Sequence, residues 1–129
     1  MRAFSLCLIV TLCVAGRLTT AQAQATKHID VVKAGRGYHI WESRQCGGCH
    51  DFGRHQATGP DLQGVTERRS PEWLHDWLKN PEAQDDPTAR ALRKQFGSQM
   101  PNMHLTDQDV DDLIAFLAQQ DQKHANKSS

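Results

Sequence analysis

The sequence is short of cysteine, of aromatic side chains and of any charge excess, and each shortage removes a class of protein. Four cysteines are present, Cys7, Cys13, Cys46 and Cys49. The first two fall in an apolar N-terminal stretch that reads as a removable leader, so a processed chain keeps only a pair two residues apart. A secreted domain with such a pair has no disulfide framework, and a bridge across so short a loop would constrain little of the unfolded chain. Fifteen Lys and Arg balance fifteen Asp and Glu. Loss of Arg2 and Arg17 with the leader leaves 13 bases against 15 acids, a net charge of −2, which gives no sign of a nucleic-acid surface. Aromatics make up 6% of the chain, too few for a thick core in a small domain. There is no internal repeat and no segment of strand period.

The apolar run from Ala3 to Gly16 is too short to cross a bilayer as a stable helix. Arg2 precedes it, and a polar stretch ending in small residues follows. That order is the order of a secretory signal peptide over residues 1–25, with cleavage expected after Ala23 or Ala25. An uncleaved anchor would need a longer run. A lipoprotein site at Cys13 would need a small residue where Val10-Thr11-Leu12 stand. Residues 26–129 are expected to form one domain, its core spanning about 31–120 and leaving no membrane span.

What is present is helical. A first helix is expected from about Val31 to Gln45, with Val31, Val32, Tyr38 and Trp41 as candidate core contacts. Gly35 and Gly37 weaken that helix in isolation, so Gly37 calls for a close neighbour. Residues 51–69, with Gly53, Gly59, Pro60 and Gly64, read as loop. Ser70-Pro71 opens a helix that Asn80-Pro81 ends near Lys79, and Thr88 to Phe96, closed by Gly97, forms another. Pro101 holds Met100 out of helical geometry. Thr106 and Asp109 cap a last helix in which Val110, Leu113, Ile114 and Leu117 recur at helical spacing, with fraying expected after Gln122. The fold class is all-α, with three to five helices and long loops. Ordered loops of that length need something to wrap, and a large apolar cofactor would also supply the core that the side chains lack.

Cys46-Gly47-Gly48-Cys49-His50 has three chemical readings. A thioredoxin-like dithiol wants its C-x-x-C beside a βαβ pattern, and no strands are evident. A zinc site wants a second well-spaced ligand pair, and none stands out. The third reading uses every residue of the motif. Two cysteines can add to the two vinyl groups on one edge of a porphyrin, and the histidine that follows is placed to bind the iron. C-x-x-C-H is the attachment signature of c-type haem. Such a histidine needs an acceptor for its other ring nitrogen.

The chain here resembles the class I cytochromes c: a first helix, C-x-x-C-H, the loop Thr58-Gly59-Pro60-Asp61-Leu62-Gln63-Gly64, a late Met-Pro and a C-terminal helix bearing an aromatic. The resemblance covers about residues 31–120 and implies a small fold wrapped around one haem c, joined through Cys46 and Cys49. It implies that the Pro60 carbonyl accepts a hydrogen bond from His50, and that Gly37 and Trp41 meet the helix containing Phe116. It also implies His50 and Met100 as the iron ligands, with Pro101 stiffening the strap that presents Met100. Met103 and His104 are the alternative candidates for that ligand; Met103 reads more simply as core packing, and His104 as a surface or hydrogen-bonded residue. Trp73 and Trp77 are read as cofactor walls, with Trp77 donating its N–H to a haem propionate. Arg68 and Arg69 are candidates for the propionates but read more simply as solvated. No role follows for His39, His55, His75 or His124.

With both axial positions filled by protein, the resemblance implies outer-sphere electron transfer rather than catalysis at iron. The expectation is an exported, periplasmic monohaem carrier that meets redox protein partners, a donor and an acceptor, in transient contacts. The alternatives are a haem subunit of a larger periplasmic oxidoreductase and a ligand-binding or peroxidatic haem protein with a labile methionine.

Overall fold

The structure, a computed structural model, describes residues 28–54 and 58–127. The proposed signal peptide therefore lies outside the described residues. Among the described residues five α-helices appear in order, α1 (Val31–Ser43), α2 (Val65–Arg68), α3 (Pro71–Lys79), α4 (Pro87–Phe96) and α5 (Asp107–Lys127), with single 3-10 turns at Cys46–Gly48 and Pro81–Ala83. No strand occurs among the described residues.

Local chemistry sets most helix starts. Asp30 accepts from the Val32 and Lys33 amides at α1. Ser70 accepts from the Trp73 amide, with Pro71 at the first position of α3. Asp86 does the same for Thr88 and Ala89 at α4. At α5, Thr106 and Asp109 cap each other's backbone reciprocally at 3.1 and 2.9 Å, satisfying amides that have no partner within the helix. Gly97 ends α4 at φ 64°, a left-handed conformation that glycine adopts without a Cβ clash.

Helix α5 is the spine, packing against α1, α2 and α3. Ala34, Gly37 and Trp41 face it from α1 and are buried. A Cβ on Gly37 would lie 2.0 Å from the Asp112 carbonyl oxygen and 2.8 Å from Phe116 Cβ, so glycine is what lets the two helices touch. Arg36 and Asp112 pair bidentately at 2.6 and 2.7 Å beside this crossing. Trp41, Phe52 and Phe116 form an aromatic cluster with centroids 5.1 to 6.0 Å apart, two pairs tilted and the Phe52–Phe116 pair edge-on. Val31 and Val32 are exposed rather than core, because they precede the helical face that meets α5. Tyr38 is half-exposed, its ring tilted against Phe116.

Two boundaries differ from expectation. α2 lies inside the stretch read as loop, and α5 stays helical to Lys127. The first rests on Asp121, which is buried and accepts from the Gly64 and Thr66 amides and the Thr66 hydroxyl at 2.5 to 2.9 Å. This carboxylate of α5 serves as the cap that α2 lacks locally.

Candidate cofactor site

The C-x-x-C-H segment leaves α1 through a sharp turn. Gln45 takes φ 54°, a left-handed conformation that is uncommon for a residue with a side chain. The 3-10 turn then presents Cys46 half-buried and Cys49 exposed, both as free thiols. Burial pushes the Cys46 thiol above its ordinary pKa, favouring its protonated form.

His50 follows, with its Nδ1 2.9 Å from the Pro60 carbonyl oxygen. A carbonyl can only accept, so Nδ1 carries the proton and donates. Nε2 is left with its lone pair available to a ligand. Burial pushes the His50 pKa down, opposed by the Pro60 bond, which keeps the ring neutral as metal ligation requires. Gly59 makes the approach possible: a Cβ there would lie 2.8 Å from His50 Cε1 and 3.0 Å from the Cys49 carbonyl oxygen. The Gly59 amide also donates to that carbonyl at 2.9 Å. The Thr58–Gly64 loop is thereby laid along the histidine.

These residues share one cavity of about 380 Å³. Cys46, Cys49, His50, Pro60 and Met100 line it, with apolar walls that include Leu74, Leu78, Leu113 and Leu117. Helix α4 adds Leu92 and Phe96. Its apolar face is turned to the cavity. Met103 does not line the cavity and packs against the core, while His104 is exposed. Neither His39, His75 nor His124 lines it, and His55 lies outside the described residues.

Trp77 and Trp73 form part of the wall. The Trp77 N–H, expected to meet a propionate, donates to Met100 Sδ at 3.3 Å in the structure. Trp73 Nε1 donates to Asp86 at 3.2 Å. Arg68 and Arg69 both line the cavity, and Arg93 of α4 joins them. Nothing in the local sequence singles out Arg93.

The donor set fits a haem. An apolar cleft carries two thiols, a neutral imidazole with one nitrogen fixed and the other available, and a thioether, with guanidiniums suited to carboxylates on its wall. Among the described residues no cluster of three or more His, Cys, Asp or Glu could hold a bare metal ion.

A model of the family described as cytochrome c matches residues 34–121. The C subunit of nitric oxide reductase from Stutzerimonas stutzeri is 35% identical over 88 residues, covering 64% of this chain and 54% of its own length. The chain thus spans about half the length of the curated relatives it matches. A solved cytochrome c from Rhodothermus marinus superposes with a TM-score of 0.70 at 26% identity, over 79% of this chain and 88% of that one. The cytochrome c domain of a Pseudomonas putida protein superposes with a TM-score of 0.61 at 36% identity, over 71% of this chain and 93% of that one.

Proposed function

Since the chain belongs to the cytochrome c family, we propose that it transfers single electrons through one haem c, which Cys46 and Cys49 would hold covalently and whose iron His50 and Met100 would ligate. The observation that carries this reading is the gathering of both thiols, the His50 ring and the Met100 sulfur on one apolar cavity. When bound, the haem iron supplies a one-electron couple between its ferric and ferrous states.

The chain's own residues supply the rest. Pro60 fixes the His50 tautomer and ring orientation. Pro101 stiffens the strap that carries Met100. The leucines of α3 and α5 exclude water, which sets a low local polarity. Arg68, Arg69 and Arg93 supply positive charge for the propionate carboxylates. With His50 and Met100 both holding the iron, no position would be open to a substrate, and the group would supply outer-sphere transfer with little rearrangement of these residues. The exposure of Cys49 supports the thioether edge as the place where partners approach, through the small, short-lived contacts usual for redox encounters.

The leader over residues 1–25 supports export and a periplasmic location. No helix among the described residues is long and apolar enough to cross a membrane. A second reading has its own support: likeness to part of a nitric oxide reductase favours a haem subunit of a larger oxidoreductase over a free shuttle. Co-purification with a partner through gel filtration supports the larger assembly, whereas a monomeric elution supports the shuttle.

The ligand set is tested by spectra of the Met100→Ala and Met103→Ala variants. The ferric parent is expected to show a weak far-red sulfur-to-iron band, absent in Met100→Ala and retained in Met103→Ala. A band that survives Met100→Ala would refute the assignment, as would ready carbon monoxide binding by the native reduced protein.

A further inference from the structure

We infer that Lys79 is a positioning residue for the Met100 strap: its ammonium latches the C-terminal end of that strap onto α3 and so keeps outside ligands from displacing the Met100 sulfur. The inference rests on the proposed ligation by Met100 and concerns what holds the strap shut, not the ligand itself.

The strap joins α4 to α5 and has no ladder of its own. Among the described residues, no backbone-to-backbone hydrogen bond outside the helices involves residues 98–105. Its order comes from Pro101, which fixes one φ, and from side chains. The Asn102 side chain accepts from the His104 amide at 2.8 Å, a bond internal to the strap. The Gln99 side chain donates to the Pro81 carbonyl oxygen at 3.3 Å and ties the end nearer α4. Lys79 ties the other end. Its Nζ donates to the Leu105 carbonyl oxygen at 3.0 Å and lies 2.8 Å from Asp107 Oδ1.

The anchor is firm. Leu74 and Leu78, both buried, seat α3 against the core. Lys79 is the last residue of that helix, where the helix dipole favours a cation. Leu105 is itself buried, so its carbonyl is presented from a fixed backbone. One ammonium therefore joins the end of α3, the strap and the first residue of α5. The same contact is the foremost cause holding the Asp107 carboxyl below its ordinary value. His75 Nε2 is 3.7 Å from that carboxylate, beyond hydrogen-bond reach, so it does not stand in for the lysine.

An outside ligand can take the place of Met100 only after the strap swings open. A bond made only in the closed strap lowers the open fraction, and the apparent affinity of the outside ligand falls with that fraction. Loss of the latch should raise the fraction by about tenfold, the low end for a hydrogen bond to a charged group because Asp107 is exposed.

The test is an imidazole titration of the ferric, haem-loaded protein, read as loss of the far-red band. Lys79→Met keeps the stem and removes the ammonium. Its apparent affinity for imidazole is expected to rise about tenfold, with faster amide exchange across residues 98–105 and unchanged protection in α1. Lys79→Arg keeps the charge and the donors and is expected to lie nearer the parent than Lys79→Met. An affinity in Lys79→Met equal to the parent's would overturn the inference, as would an arginine variant no different from the methionine one. Met100→Ala separates the two layers. If it leaves the band and the affinity unchanged, methionine ligation itself fails. If it abolishes the band and raises the affinity while Lys79→Met moves neither, ligation stands and the latch fails. Added to Met100→Ala, Lys79→Met should change the affinity by less than about twofold, the usual margin of additivity. A full tenfold there would show that Lys79 acts other than through the sulfur and would overturn the inference. Should Lys79→Met not accumulate with haem, the parent labelled with ¹⁵N-lysine decides. The Lys79 ammonium, assigned by its loss in Lys79→Arg, is expected to exchange more slowly than the other lysines. Exchange at their rate would overturn the inference.

Discussion

Gly37 and Gly59 carry the two steric conditions on which the site depends. A methyl group on Gly37 would overlap backbone of α5, 2.0 Å from the Asp112 carbonyl oxygen, and backbone cannot rotate away as a side-chain tip can. Gly37→Ala is therefore expected to destabilise the protein by about 2–3 kcal/mol, the upper range for overpacking, read as a lower midpoint in denaturant with an unchanged haem spectrum in the folded fraction. Gly59→Ala should do the reverse. Its methyl would press on His50 Cε1, so the expected effect is a weakened or altered haem spectrum at nearly unchanged helicity. These positions were legible to different degrees. Gly37 stood out because a glycine inside a helix needs a reason. Pro60 and Met100 came from the resemblance, since no local rule ties residue 60 to residue 50 or a methionine to a haem. The bond from Trp77 to Met100 was not legible, because it joins residues 23 apart whose approach only tertiary packing creates.

Between helices, polar ties complement the apolar seam. Asp112 is buried, and its hydrogen bond with Arg36 is the foremost cause holding its carboxyl below the ordinary value of 3.8. A carboxyl with a depressed folded pKa contributes stability that is fully present above the unfolded pKa and lost as pH falls through the folded one. Acid unfolding should therefore begin below about pH 4, and Asp112→Asn should flatten the acid limb of the stability curve. An acid limb identical to the parent's would show that the pair does not link α1 to α5. Helix α4 depends on something else. Its Leu92 and Phe96 face the cavity, so a Cys46→Ala/Cys49→Ala protein without haem is expected to lose amide protection first in α4 and the Met100 strap, with α1 and α5 protected longest. Hydrogen exchange reads this directly. The helices with local caps, α3 and α5, were legible at their starts because Ser70-Pro71 and Thr106/Asp109 act within one turn. α2 was hidden because its capping carboxylate, Asp121, lies 55 residues beyond Thr66.

The whole molecule is a shell of helices with an apolar cleft where a larger protein would have more side chains. The low aromatic content and long loops foreshadowed that cleft, and α5 with the three helices packed on it frames it. A net charge of only −2 on the processed chain leaves partner choice to local surface, in keeping with the brief encounters proposed at the Cys49 edge. All of this rests on porphyrin being covalently part of the chain. The most direct test is the intact mass of the purified, denatured protein, taken with its absorption spectrum after acidified-solvent extraction. The expected mass is that of the chain from residue 24 or 26 onward plus one haem, with the colour remaining on the polypeptide. A mass equal to the bare polypeptide, or pigment released into the solvent, would contradict the account.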